Sequence, residues 1–266
     1  MNISEYLNKI INGNCVEVLK EFDDNVIDMT ITSPPYDNLR NYKGFTFEFE
    51  LIAKELYRVT KDGGVVVWVV NDATIDGSET ATSFKQTLKF MEVGFNLHDT
   101  MIFKKRNPIP QIYRKRYNNE FEFMFVFTKG KITTHNPIMV DCLHAGLELN
   151  STTYKNYSKD EQKRSKLANP VKEQKVKGNV WEYVVGKNKE DSGAKEHPAP
   201  FPYQLAYDHI ISWTNENDIV LDPMCGSGTS LRAAKDLKRN FIGIDISSDY
   251  CKIAEKRITS PQQQLI

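Results

Sequence analysis

The chain has 266 residues, of which 40% are hydrophobic, enough for one large domain or for a domain with an insert. Its 35 basic and 35 acidic side chains balance, which excludes a strongly basic or acidic protein and leaves only the local distribution of charge to indicate nucleic-acid binding. The four cysteines lack the paired spacing of a zinc site and the density of a disulfide framework, and no apolar run reaches membrane-spanning length. Since residues 1–5 show no signal-peptide pattern, we expect a cytoplasmic protein with reduced thiols.

The order of apolar segments predicts an α/β protein. Apolar runs predict strands at residues 9–14, 26–32, 65–70, 95–103, 121–127, 218–222 and 240–245. Apolar positions at helical spacing predict helices at residues 15–22, 47–59, 84–93, 203–213, 230–237 and 247–258. Continuous apolar strands separated by helices are typical of a parallel sheet that is covered on both faces.

The strand at residues 26–32 ends abruptly in Ser33-Pro34-Pro35-Tyr36. Each proline fixes its own φ at about −65° and disfavours the helical region for the residue before it, so the chain leaves the strand as a stiff, extended corner. A backbone carbonyl, a short hydroxyl and an aromatic face at this corner would fit a planar ring that carries an amino group. The alternative is a Pro-Pro turn that only closes the strand.

A second motif lies far downstream, where the strand at residues 218–222 runs into the glycine-rich sequence Asp222-Pro223-Met224-Cys225-Gly226-Ser227-Gly228-Thr229. Glycine lets a ligand approach the backbone closely, and the N-terminus of the following helix favours a negative group such as a carboxylate. The next strand ends in Asp245, an acid that could bind both hydroxyls of a ribose. This order of elements predicts a cofactor site.

Together, the two motifs resemble those of the S-adenosylmethionine-dependent DNA amino-methyltransferases, which methylate the exocyclic nitrogen of cytosine or adenine. Their order is similar to that of the permuted β class, and the resemblance covers the chain except its middle. It implies a Rossmann-like methyltransferase fold, with a circularly permuted, seven-stranded, mostly parallel sheet, helices on both faces and an inserted target-recognition region. Residues 1–130 would form the catalytic half, residues 131–195 the insert and residues 196–266 the cofactor-binding half.

The resemblance also implies the residues of the active site. The catalytic residues would be Ser33, Pro34, Pro35 and Tyr36. The Ser33 hydroxyl and the Pro34 carbonyl would each accept a hydrogen bond from an N–H group of the target amine, and Tyr36 would stack on the base. S-adenosylmethionine would be bound by Asn14, Cys15, Phe201, Asp222, Pro223, Cys225, Gly226, Ser227, Gly228, Thr229 and Asp245. Asn14 stands where the family more often has aspartate, and a simple Gly13-Asn14 turn is the alternative.

Basic residues cluster between residues 104 and 119, with no acidic residue among them. Beside the predicted cleft, such a cluster indicates contact with DNA phosphates, and the alternative is solvated surface. The predicted DNA-binding residues are Arg40, Lys104, Lys105, Arg106, Arg114, Lys115 and Arg116. Asp72 is expected to cap a loop, and His197 is expected to have a structural role rather than to bind a metal.

The middle of the chain loses its periodicity. Between Lys155 and Lys195 there are eleven basic and six acidic residues. This excess suits the target-recognition insert implied by the resemblance, and a disordered, solvated loop is the alternative.

The predicted function is site-specific methylation of the exocyclic N4 of a flipped cytosine in a restriction-modification system. Serine at the head of the catalytic motif resembles the cytosine group, whereas adenine N6 enzymes more often have Asp or Asn there, and adenine N6 stays open as the alternative. The motif order disfavours a glutamine-methylating enzyme, and a catalytically silent nucleic-acid-binding module is a further alternative. Double-stranded DNA is the expected partner. A homodimer and a cognate restriction endonuclease are also compatible with the resemblance, and no membrane is expected.

Overall fold

The structure is a computed structural model that describes residues 3–35, 47–108, 115–146, 171–185 and 202–259. A short 3-10 helix at Ile3–Glu5 precedes the first strand. The strands are β1 (Lys9–Asn12), β2 (Ile27–Thr32), β3 (Thr60–Val70), β4 (Thr74–Ile75), β5 (Ser78–Glu79), β6 (Asn96–Lys105), β7 (Phe121–Thr128), β8 (Met139–Asp141), β9 (Gln174–Val176), β10 (Val180–Tyr183), β11 (Ile219–Asp222) and β12 (Asn240–Asp245). The helices are α1 (Cys15–Leu19), α2 (Phe49–Val59), α3 (Thr82–Glu92), α4 (Tyr203–Trp213), α5 (Thr229–Asp236) and α6 (Ser248–Thr259).

Eight of these strands form one sheet in the order β1-β12-β11-β2-β3-β7-β6-β10. Neighbouring strands from β1 to β3 are parallel. β7 is antiparallel to both β3 and β6, and β10 is parallel to β6. Because the strand direction reverses from β3 to β7 and again from β7 to β6, both β6 and β10 run in the same direction as the parallel strands from β1 to β3. Their carboxyl ends therefore lie along a single edge of the sheet, which we call the carboxyl edge.

The sheet confirms the predicted α/β class and differs from the prediction in one strand. The prediction had seven strands, and the structure adds β10 as an eighth at the end of the sheet. β10 lies within the range predicted as an insert. β10 is only four residues long and lies in a range rich in charged residues, and within it only Trp181 and Tyr183 are buried.

The helices form two groups: α2 packs against α1 and α3, and α5 packs against α4 and α6. Where α3 meets the sheet, the fully buried ring of Phe90 stacks on that of Phe127 in β7, with the ring centroids 4.6 Å apart. The buried Trp68 indole also donates a hydrogen bond to Gln86 Oε1 at 2.8 Å. This core fixes the central strands from which the carboxyl edge is built.

The chain divides into two compact units. The larger contains residues 1–136 and 179–266, and the smaller contains residues 137–178. Within the smaller unit, β8 and β9 form an antiparallel pair with Met139 opposite Val176. The assignment of residues 131–195 to target recognition stays a prediction. Among the helices in the described ranges, none has the length and apolar character needed to cross a bilayer.

Candidate active site

The two sequence motifs come from adjacent strands. In the parallel pair of β2 and β11, Met29 lies opposite Val220 and Thr30 opposite Leu221. Continuing this register places Asp222 beside Ile31, so the Ser33 corner and the glycine loop leave the carboxyl edge side by side. Neighbouring strands are about 4.8 Å apart. The structure therefore brings together two segments that are far apart in the sequence.

The Ser33 corner begins inside the protein and emerges toward its surface. Ile31, Thr32 and Pro34 are buried, whereas Ser33 and Pro35 are half-buried. The corner is thus held firmly by its apolar side chains while the serine stays accessible. Tyr36, the predicted stacking residue, lies outside the described residues.

Asp222 organises the glycine loop from within. Its carboxylate is 1% exposed and accepts hydrogen bonds from Met224 N at 3.1 Å and from Ser230 Oγ. Burial raises the pKa of the Asp222 carboxyl to about 6, although these hydrogen bonds oppose the increase. The nearby buried Thr32 hydroxyl also opposes the increase, although it forms no hydrogen bond within the described part of the structure. Asp222 therefore holds the shape of the glycine loop through hydrogen bonds to Met224 N and Ser230 Oγ.

The glycine loop lies tightly against two elements. Gly228, at φ +77°, comes just before α5, and a Cβ added there would be 2.8 Å from the Cβ of Ala254 in α6. A Cβ added at Gly243 of β12 would be 2.3 Å from Leu231 Cδ1 in α5. A larger residue at Gly228 would have to adopt this positive φ and would collide with α6, whereas at Gly243 it would force the Leu231 side chain to shift. The N–H groups at the start of α5 are thereby held at the carboxyl edge.

Asp245 joins the glycine loop to the end of β12. Its carboxylate accepts hydrogen bonds from Gly226 N and Ser247 N, both at 2.8 Å, and the residue is 9% exposed. Burial raises the pKa of Asp245, and the two backbone hydrogen bonds oppose this effect. Each carboxylate oxygen has a second lone pair, so the acid can still accept hydrogen bonds from a ribose.

The residues after β1 lie next to Asp245. Gly13 N donates to the Asp245 carbonyl at 3.0 Å, and the exposed Asn14 caps α1 by accepting a hydrogen bond from Val16 N at 2.8 Å. The cap uses the amide oxygen of Asn14, so its NH2 group is the part that a ligand could meet. Burial raises the pKa of the half-buried Cys15 thiol to about 11, and the nearby Asp245 adds to the increase. Cys15 is therefore a neutral thiol at neutral pH.

One residue of this site escaped sequence analysis. Arg257, in the last turn of α6, donates through Nη1 to the Ser227 carbonyl and hydroxyl, both at 2.7 Å, and to Thr229 Oγ1 at 3.2 Å. In the sequence, Arg257 is one of several charged residues on an amphipathic helix, and its contact with a loop about 30 positions earlier leaves no local pattern.

The predicted DNA-binding cluster finds acidic partners from other segments. Lys104 and Arg106 lie 3.0 and 3.6 Å from the Glu182 carboxylate, whose pKa Lys104 lowers. Lys105 pairs with Glu122 at 2.9 Å, and both side chains are more than four-fifths buried.

Two further members of the cluster fall in the described range 115–146. Arg116 pairs with Glu79 at 3.3 Å, whereas Lys115 is exposed. Arg40, Arg114 and Phe201, along with His197, lie outside the described residues. Asp72 confirms its predicted capping role, since its carboxylate accepts hydrogen bonds from Ser83 N at 2.8 Å and Ser83 Oγ at 2.7 Å.

The carboxyl edge has the features that S-adenosylmethionine would need. The N-terminal amides of α5 and the hydroxyls of Ser227 and Thr229 suit its carboxylate, and Asp245 suits its ribose. The Ser33 corner lies on the adjacent strand, where a methyl acceptor could meet the donor.

Known proteins resemble the chain along most of its length. The sequence pattern of the DNA methylase family matches residues 27–256. The orphan methyltransferase M.BamHII of Bacillus amyloliquefaciens is 49% identical over 239 residues, which are 88% of this chain and 89% of that protein.

Solved structures give the same result. The PvuII DNA methyltransferase (cytosine-N4-specific) superposes with a TM-score of 0.71 at 18% identity, covering 96% of this chain and 87% of the other, which shows the shared fold. The M1.HpyAVI–SAM complex superposes with a TM-score of 0.59 at 26% identity, covering 94% and 98%. The chain therefore belongs to the DNA methylase family of N6 and N4 methyltransferases, enzymes that use S-adenosylmethionine.

Proposed function

We propose that the protein methylates the exocyclic N4 of a cytosine flipped out of double-stranded DNA, at a specific sequence. The observation that carries the proposal is the adjacency of β2 and β11, from which the Ser33 corner and the glycine loop emerge together. The alternative acceptor is adenine N6.

S-adenosylmethionine supplies a methyl group already activated by its sulfonium, so the chain's main tasks are to orient the acceptor and exclude water. The amino nitrogen is a poor nucleophile because its lone pair is delocalised into the ring. The Ser33 hydroxyl and the Pro34 carbonyl would accept hydrogen bonds from its two N–H groups and draw the nitrogen toward tetrahedral geometry. By analogy with oxyanion-hole donors, each such hydrogen bond could lower the barrier by roughly 3 kcal/mol.

The target base must leave the DNA stack, which costs a few kcal/mol. Tyr36 would offset part of this cost by stacking on the base, a contact worth roughly 1–3 kcal/mol. Cytosine is favoured because the catalytic motif begins with a serine, Ser33, as the motif of the cytosine-N4 methyltransferases does. Intact cofactor and acceptor motifs speak against a catalytically silent binding module.

The biological setting is proposed to be a restriction-modification system in the cytoplasm. The relative at 49% identity is named an orphan methyltransferase. A cognate endonuclease and a homodimer both stay predictions for this chain.

The test is to incubate the purified protein with S-adenosylmethionine and unmethylated plasmid, and to analyse the nucleosides by mass spectrometry. We expect N4-methyl-2′-deoxycytidine. N6-methyl-2′-deoxyadenosine would replace the cytosine proposal with its alternative, and unmodified nucleosides from a protein that binds the cofactor in calorimetry would indicate a silent module.

Variants test the roles of individual residues. Ser33→Ala and Tyr36→Ala should lose methylation while they retain cofactor binding, and Ser78→Ala, in the exposed β4–β5 hairpin, is the matched control. A near wild-type rate in either active-site variant would show that its assigned role is wrong.

A further inference from the structure

Arg257 connects α6 to the glycine loop through three hydrogen bonds. Its Nη1 lies 2.7 Å from both the Ser227 carbonyl and the Ser227 hydroxyl, and 3.2 Å from Thr229 Oγ1. Both hydroxyl-bearing residues are 3% exposed, so their contacts with Arg257 are shielded from bulk water.

The position of Arg257 is itself fixed by α5. Arg232 Nη1 donates to the Arg257 carbonyl at 2.6 Å, and Lys235 Nζ donates to the Ile258 carbonyl at 2.7 Å. The backbone at the end of α6 is thus attached to the helix that begins at the glycine loop. The guanidinium consequently meets the loop in one defined place.

These contacts determine in which hydrogen bonds the two hydroxyls are acceptors and in which they are donors. A guanidinium carries only donors, so Ser227 Oγ and Thr229 Oγ1 must act as acceptors toward Arg257. The hydrogen of each hydroxyl then has to point to a different acceptor. At the N-terminus of α5, where the amides also favour negative charge, the matching ligand is an anion.

We propose that Arg257 is a positioning residue that fixes the hydroxyls of Ser227 and Thr229 as donors to the carboxylate of S-adenosylmethionine. The inference rests on the proposed function, because it requires the glycine loop to bind that cofactor. Arg257 acts through the two hydroxyls, and its positive charge strengthens the attraction for the carboxylate. A lysine could supply the charge and three N–H donors on a flexible stem, but not the rigid planar geometry of the guanidinium.

The decisive comparison uses two ligands that differ only in the carboxylate, S-adenosylmethionine and its decarboxylated analogue, with binding to the full chain measured by calorimetry. Arg257→Met should weaken S-adenosylmethionine binding by about 10- to 100-fold, as for the loss of a charge-assisted hydrogen bond. Binding of the decarboxylated analogue should weaken by less than about threefold, and Arg257→Lys should fall between wild type and Arg257→Met. Lys252→Met, an exposed change on the same helix, is the control and should bind both ligands as wild type does.

Equal losses for both ligands, or no loss for either, would overturn the proposal, because a residue that only holds the loop together cannot distinguish them. If Arg257→Met does not fold, the double variant Ser227→Ala/Thr229→Val decides instead. It should lose the preference for S-adenosylmethionine over the decarboxylated analogue, and an unchanged preference would refute the inference. Failure of the wild-type protein to bind S-adenosylmethionine would refute the proposed function itself.

Discussion

Asp222 shows how burial changes the meaning of a motif residue. In the sequence, an aspartate at the head of a glycine loop suggests a ligand contact. In the structure, the carboxylate is 1% exposed and its oxygens accept hydrogen bonds from the loop itself. Because the carboxylate is buried, its ionisation at neutral pH costs free energy of folding.

This cost makes stability depend on pH in a defined direction. The pKa of Asp222 is about 6 in the folded protein against 3.8 as the ordinary value, so the folded state binds more protons between these pH values. The contribution to stability is present below pH 3.8 and lost as the pH rises through about 6. The loss is roughly 3 kcal/mol.

We therefore predict that Asp222→Asn becomes more stable relative to wild type as the pH is raised from 4 to 7.5. Urea unfolding at a series of pH values measures the difference, which should grow by up to roughly 3 kcal/mol and level off above about pH 6. Ser230→Ala, which removes a hydrogen bond that lowers this pKa, should move the change to higher pH. A difference that is constant across this range would contradict the assignment.

At the scale of elements, the close approach of α6 to the glycine loop shapes the proposed cofactor site. Gly228 has φ +77°, and a Cβ there would lie 2.8 Å from the Cβ of Ala254. Gly130 provides a matched comparison, because its φ is +69° but no atom lies within 4 Å of an added Cβ. An alanine would be strained by the positive φ at both positions, but it would clash with a neighbouring atom only at Gly228.

Gly130→Ala should cost about 1–2 kcal/mol from backbone strain and leave cofactor affinity unchanged. Gly228→Ala should cost more and weaken S-adenosylmethionine binding at least about tenfold, because α6 has to move away from the loop. Thermal unfolding and calorimetry measure both effects. Adding Ala254→Gly should restore part of the loss in Gly228→Ala, and the absence of any rescue would argue against the clash.

The start of α3 depends on an acid outside the helix. Its N-cap position is Ala81, which provides no capping side chain, and Asp72 supplies the missing acceptor for Ser83 N. Asp72→Ala should destabilise the protein by about 1–2 kcal/mol, whereas Asp72→Asn, which keeps one acceptor oxygen, should cost less. Hydrogen exchange at the Ser83 amide should accelerate most in Asp72→Ala, and unchanged exchange would refute this capping role.

At the scale of the whole molecule, the basic cluster is less charged than its sequence suggests. The chain is neutral overall, and Lys104, Lys105, Arg106 and Arg116 each face a carboxylate from another segment. Lys105 is only 18% exposed, and its partner Glu122 is 15% exposed. Lys115 is exposed and, among the described residues, pairs with no carboxylate, so it is the stronger candidate for a phosphate contact.

DNA binding at several salt concentrations should separate these lysines. Lys115→Ala should reduce the slope of log affinity against log salt by about one, as expected for one lost phosphate contact. Lys105→Ala should leave the slope unchanged and lower the unfolding temperature, because it leaves Glu122 buried without this partner. An equal change of slope in both variants would show that Lys105 contacts DNA, as the sequence predicts.

Much of this architecture was predictable because its signals are local. Apolar strands, the prolines after Ser33 and the glycines before α5 each determine their own backbone. β10 was missed because its burial depends on α4, where Trp181 packs against His209 with ring centroids 4.7 Å apart and Tyr183 donates to Asp208 at 2.7 Å. The contacts of Arg257 and the ion pairs of the basic cluster likewise join residues that no sequence pattern connects.

The pairing of β2 with β11 also has a consequence for synthesis on the ribosome. Ile219 N donates to the Asp28 carboxylate across this pair at 2.9 Å, a contact between residues 191 positions apart. Until residue 222 has left the exit tunnel, one edge of the apolar β2 has no strand to pair with and is open to aggregation. The connectivity that brings the Ser33 corner and the glycine loop together thus makes this edge a late-forming part of the nascent protein, and a chaperone that shields unpaired strands would act in that interval.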